Sequence, residues 1–265
     1  MKIAHLLLLA SLPLTACAAS ETPEEAAEEG ESVPGASDSD ITSGAAAKLL
    51  KVSYKKAVTS TDGTNSKCNY DISWLSVSSK STISAAARTA LNTALYYGPK
   101  TPDLACSDPG FEIEGGYSKV SVNASGVLSV EYNHASYSNG AAHPNTTSMT
   151  INLDVKTGKW ITLGDILTDA GKKTLLESCK KQWQATITAE AQDIEQNGEC
   201  EGATTLATGQ KTESFTIEPT GLRIHIDNQL PHAFVALAGE GFLVKWADLG
   251  AGLKAGSVVK GLAKR

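Results

Sequence analysis

The order of periodicities along the chain predicts an α+β fold, with antiparallel sheets, helices packed on one face, and two small subdomains. Three observations carry this. Short runs alternate apolar and polar residues, as strands with one buried face do. Two blocks, Ser81 to Tyr97 and Thr168 to Gln196, switch to helical spacing. The strand-like runs come in groups between these blocks, a pattern of antiparallel sheets with segregated helices.

The first strand is expected near Leu49 to Val58 and the second at Asn69 to Val77, where Tyr70, Ile72 and Trp74 alternate with Asp71 and Ser73. In Ser81 to Tyr97, Ile83, Ala87, Leu91, Ala94 and Leu95 fall on one helical face; serines suited to capping precede them and Gly98-Pro99 ends the run. Phe111 to Asn123, Gly126 to Tyr137 and Thr147 to Val155 then read as an antiparallel meander, followed by a short strand at Trp160 to Leu163. Lys156-Thr157-Gly158 is a turn in which Gly158 supplies a positive φ. A long helix follows at Thr168 to Gln196, capped by Thr168 or Asp169. The last strands are Ser214 to Ile217, Leu222 to Asp227 and Phe242 to Trp246. Residues 41–126 are expected to form an N-terminal α+β subdomain and residues 127–265 a C-terminal α+β domain.

Ahead of this body, Lys2 leads into an apolar run from Ile3 to Leu14, shorter than the roughly 20 residues a membrane span needs. Residues 1–16 therefore read as a signal peptide that is removed. Leu14-Thr15-Ala16-Cys17 resembles the lipobox of bacterial lipoproteins, which implies that the Cys17 thiol is acylated, palmitate among the chains, and anchors the protein by lipid alone. Ala18 after the cysteine resembles an outer-membrane sorting signal, so the expected location is the outer membrane, facing the periplasm or the cell surface.

Residues 17–40 read as an acidic disordered tether, because eight carboxylates, several small residues and no Lys or Arg leave nothing to build a core. Those eight account for the net charge of the chain. Of 29 acidic residues, 21 remain, against 22 basic residues once Lys2 leaves with the signal. The folded part thus lacks the basic excess that nucleic-acid binding requires.

Four cysteines follow Cys17, an even number in an exported chain, which implies two disulfides with three possible connectivities. The expected pairs are Cys68–Cys106 and Cys179–Cys200. An unbroken helix to Gln196 would leave Cys179 about 25 Å from its end, so the second pair demands a break, expected at Thr186-Ile187-Thr188. No C-x-x-C pair is present, and neither metal nor cofactor is expected.

The sequence holds no H-E-x-x-H, G-x-S-x-G, P-loop or G-x-G-x-x-G element. S-x-x-K strings begin at Ser53, Ser178 and Ser257, but an S-D-N element is missing and Ser53 and Ser178 fall in a strand and mid-helix. The protein is read as non-catalytic. His225 and His232 read as structural. Among the histidines, His143 is set apart by its place in the turn Ser138 to Asn145 between two long strands, where loops carry function. Asn139, Gly140, His143, Pro144 and Asn145 form the candidate ligand-binding loop.

That run, Tyr137-Ser138-Asn139-Gly140-Ala141-Ala142-His143-Pro144-Asn145, is followed by Ile151 to Lys159 and by Ile161-Thr162-Leu163-Gly164-Asp165-Ile166-Leu167. Together with Phe215 to Ile226, Pro231-His232-Ala233 and Phe242-Leu243-Val244, it resembles the core of a bacterial extracytoplasmic domain family. That family forms the C-terminal half of lysozyme-sensing anti-sigma factors and accompanies some peptidoglycan deacetylases. The resemblance covers about Val127 to Leu249 and implies an α+β architecture and binding of lysozyme. The chain departs from the anti-sigma pattern in lacking a transmembrane helix and a sigma-binding segment, and it lacks the deacetylase catalytic domain. The expected function is an envelope lipoprotein that binds lysozyme, by sensing or inhibition. The alternative is a peptidoglycan-binding module stacking sugars on Trp74, Trp160 or Tyr137.

Overall fold

The structure is a computed structural model that describes residues 49–59, 67–79, 81–97, 111–138, 145–190 and 198–263. Five strands build the first sheet in the order β1 (Leu49–Thr59), β2 (Lys67–Val77), β3 (Phe111–Ala124), β4 (Val127–Ser138) and β5 (Asn145–Asp154). A second, antiparallel sheet has the order β6 (Phe215–Glu218), β7 (Gly221–Ile224) and β8 (Phe242–Lys245). The fold is α+β, as the sequence predicts.

One pairing departs from the antiparallel pattern. β2 and β3 run parallel, because α1 (Ala85–Leu95) lies between them in sequence and carries the chain across the sheet. The boundary anticipated at Gly126 coincides with the turn of the β3–β4 hairpin, where Ser125 and Gly126 have φ of 54° and 82°. Residues on both sides of it therefore belong to one sheet.

Helix α1 starts where the Ser84 hydroxyl accepts from the Ala87 amide. Its apolar face buries Leu91, Ala94 and Leu95 against Leu75, Val130 and Leu153 of the sheet. Asn92 fixes its position by accepting from the Val77 amide at 2.6 Å and donating to the Val77 carbonyl. On the opposite face, Val122, Ala124 and Val127 enter a larger core with the second sheet and the C-terminal helices. A bulge between Val120 and Val122 makes this possible: it shifts the strand's parity, so Val120 faces α1 while Val122 and Ala124 face the other core.

The turn after β5 has the expected form. Gly158 has φ of 69°, its amide donates to the Asp154 carbonyl, and a Cβ there would lie 2.4 Å from Ala90 Cβ. The strand expected at Trp160 to Leu163 is a correction. Trp160 makes only an isolated bridge to Leu153, and Leu163–Ile166 is a short helix, α2. The Asp165 carboxylate accepts from both the amide and the hydroxyl of Thr162, which turns the chain into that helix.

Helix α3 (Asp169–Ala189) opens with the Thr168 hydroxyl accepting from the Gly171 amide. It buries Leu175, Cys179, Trp183 and Ile187 along one stripe. The helix is continuous through Thr186-Ile187-Thr188, so the break expected there does not occur; it ends instead at its cap, Glu190. α4 (Glu199–Thr204) packs alongside it. Cys179 and Cys200 are joined by a disulfide with Cα atoms 6.0 Å apart, and both are buried. Lys180 pairs with Glu201 beside it, and this contact lowers the Glu201 carboxyl pKa. A last helix, α5 (Trp246–Leu249), follows β8 directly. Among the described residues no helix is long and apolar enough to cross a membrane.

Candidate functional site

The face of β4 and β5 that meets the second sheet is polar. Ser129, Glu131 and Asn133 alternate along β4, and Thr146, Ser148, Thr150 and Asn152 along β5, with register pairs Ser129↔Asn152, Glu131↔Thr150 and Asn133↔Ser148. At one end these side chains form a closed seam. Asn152 donates to the Phe215 carbonyl at 2.7 Å, Thr150 to the Glu213 carbonyl at 3.0 Å, and Ser129 accepts from the Ile217 amide while donating to Asn152. Ser129 and Asn152 are fully buried, and this satisfaction makes their burial affordable.

Toward the hairpin end the seam opens into a cleft of about 520 Å³. One wall carries Glu131, Asn133, Thr146 and Ser148. The other is the 3-10 segment His232–Ala238 with Gly239 and Gly241, contributing Ala233, Val235 and Ala236. His225, Ile226 and Asp227 form the floor.

His225 continues β7, its amide bonded to the Ser214 carbonyl. Its Nε2 lies 3.0 Å from Thr216 Oγ1, and its Nδ1 lies 3.9 Å from a Glu131 carboxylate oxygen. Burial pushes the imidazole down to about 4, so it is neutral at physiological pH. Asp227 accepts from the Ser148 amide and hydroxyl, and Asn228 donates to the Ser148 carbonyl. Arg223 grips Glu218 with Nε and Nη2 and donates through Nη1 to the Gly241 carbonyl at 3.3 Å. Glu218, and then the more distant Glu240 and Glu131, raise the pKa of this guanidinium.

Several expected site residues fall outside this region. Cys17, Cys106 and the loop residues Asn139, Gly140, His143 and Pro144 lie outside the described residues, as does the Cys68–Cys106 bond. Asn145 opens β5 opposite Ser136, and Cys68 stands in β2 opposite Val58. Trp74 meets Tyr96 edge to face at 5.2 Å, and Trp160 meets Tyr97 at 5.5 Å; Tyr96 is 41% exposed. The side chain of Tyr137 lies outside what is described. Among the described residues, no group of three or more His, Cys, Asp or Glu is placed to hold a metal.

Glu131, Asn133, Ser148 and Asp227 were not singled out by the sequence reading. A signal exists in the strands: the non-apolar face of β5 carries small hydroxyl and amide residues rather than long charged ones, the composition of a polar face that is buried.

No family model matches the chain, and no curated protein matches it. Solved structures do. The chain has the fold of bacterial proteins of the DUF3298 family. One, from Bacteroides fragilis, is 15% identical with a TM-score of 0.54, covering 82% of this chain and 98% of that one. Another, from Pseudomonas aeruginosa, is 14% identical with a TM-score of 0.52, covering 80% of this chain and 95% of that one.

Proposed function

We propose that the protein is a non-catalytic lipoprotein of the bacterial cell envelope, lipidated at Cys17 and held at the outer membrane, whose folded domain binds lysozyme. The observation that carries this reading is the cleft bordered by β4 and β5, a recess with one polar and one aliphatic wall that suits a group protruding from a partner protein. Binding rather than catalysis is supported by how the polar groups are used, since Asp227 and Arg223 are committed to holding the cleft together.

Calorimetry of the full-length chain, disulfides formed, against hen lysozyme at low and moderate salt tests this. Submicromolar binding that weakens with salt is the expected result. A His143→Ala variant is expected to bind more weakly; absence of heat at both salts overturns the reading.

A second reading, binding of peptidoglycan strands, has its own support in the Trp74–Tyr96 and Trp160–Tyr97 pairs near the end of α1. Tyr96 is the exposed ring among these, Trp74, Tyr97 and Trp160 being half-buried, and an exposed ring stacks on sugar faces. Purified sacculi are expected to retain the protein and release a Tyr96→Ala variant if this reading holds.

A further inference from the structure

The two walls of the cleft differ in chemistry. Ala233, Val235 and Ala236 make one wall aliphatic, while Glu131, Asn133 and Thr146 make the facing wall polar. The Glu131 side chain is 16% exposed and makes no closer approach to His225 than 3.9 Å, too long for a hydrogen bond. When Nε2–H donates to Thr216, the buried Nδ1 presents a lone pair beside that carboxylate. In that tautomer, one of the two that the Thr216 contact allows, two acceptors stand side by side at the base of the cleft. Of the two carboxylates that line the cleft, Asp227 is committed to the amide and hydroxyl of Ser148, which leaves Glu131 as the carboxylate available to a cation.

We propose that the cleft receives a cationic side chain, the guanidinium of arginine or the ammonium of lysine, projecting from a basic partner protein. An aliphatic stem lies against Ala233 and Ala236 while its charged head reaches Glu131 and His225 Nδ1, matching an amphipathic side chain to an amphipathic slot. The inference deepens the binding function proposed above and rests on it for the partner's identity; the cleft's chemistry stands apart from it.

The test is amide NMR of the full-length chain titrated with N-acetyl-arginine amide, and with N-acetyl-citrulline amide as the uncharged isostere. Saturable shifts at residues 131–133, 146–148, 225–227 and 233–241 are expected with arginine and not with citrulline. Glu131→Gln is expected to weaken the arginine probe at least about five-fold. Ala236→Phe, which keeps every charge but fills the slot, should abolish the shifts; a melting curve confirms that each variant folds. Equal response to citrulline, no saturable shift, or unchanged affinity in Glu131→Gln overturns the inference. With hen lysozyme as the basic partner, both variants are expected to weaken binding. Lysozyme binding that neither variant alters overturns the inference and leaves the lysozyme reading standing, whereas arginine binding without lysozyme binding does the reverse.

Discussion

Asp227 and Ser148 are joined by two hydrogen bonds of 2.8 Å, the carboxylate taking the backbone amide through one oxygen and the hydroxyl through the other. This pair closes the floor of the cleft against the inner edge of the polar wall. Asp227→Asn removes the charge that strengthens both bonds and turns one acceptor into a donor facing a donor. A loss of about 1–3 kcal/mol is expected in urea unfolding, with Ser148→Ala costing about 1 kcal/mol because only the hydroxyl bond goes.

His225 makes stability depend on pH. Its folded pKa, pushed down to about 4 by burial, lies below the ordinary 6.5 it regains on unfolding. The unfolded chain therefore binds the proton first. The contribution is fully present above pH 6.5 and is lost as pH falls toward 4, by roughly 3 kcal/mol in all. Urea midpoints measured between pH 7.5 and 4.5 should fall more steeply for the native chain than for His225→Gln.

Cys179 and Cys200 close a loop of 21 residues. Replacing both by alanine is expected to cost about 3 kcal/mol, mostly by restoring freedom to the unfolded chain. Calorimetric melting of the variant checks this, and a drop below 1 kcal/mol would mean that α3 and α4 are held together chiefly by packing and the Lys180–Glu201 pair.

Gly171 sits in the first turn of α3 against Gly252, whose carbonyl also accepts from the amide of Thr168 at 2.9 Å. A Cβ on Gly171 would meet that carbonyl at 2.4 Å. Gly171→Ala must push two backbones apart, with an expected loss of about 1–3 kcal/mol in thermal or urea unfolding.

Much of the fold was legible because strand alternation and helix spacing are local. β4, β5, α1 and the Thr168 cap lie where the residues place them. The Trp160 strand was misread because the Thr162–Asp165 contact, a local signal, outweighs β propensity there. The end of α3 was misread because no Gly or Pro stands between Ala189 and Asn197-Gly198 to mark it in the sequence. The parallel β2–β3 pairing and the cleft have no local signature: Ser148 and Asp227 meet across 79 residues. His225 read as a structural histidine, and its bond to Thr216 supports that role, but its second nitrogen faces a cleft that only the tertiary structure creates.

Along the closed seam, side chains of one sheet bond to backbone groups of the other. Phe215, Ile217 and Glu213 contribute an N–H or a C=O there whatever side chain they carry, so the instruction for docking is written on β4 and β5 alone. Related sequences would then keep Ser129, Thr150 and Asn152 without any matching change in residues 213–217, and covariation between the two strands would be silent about a contact that joins them. What the seam does enforce is register: a one-residue slip of β6 would exchange donors for acceptors along its length and break the three backbone contacts together.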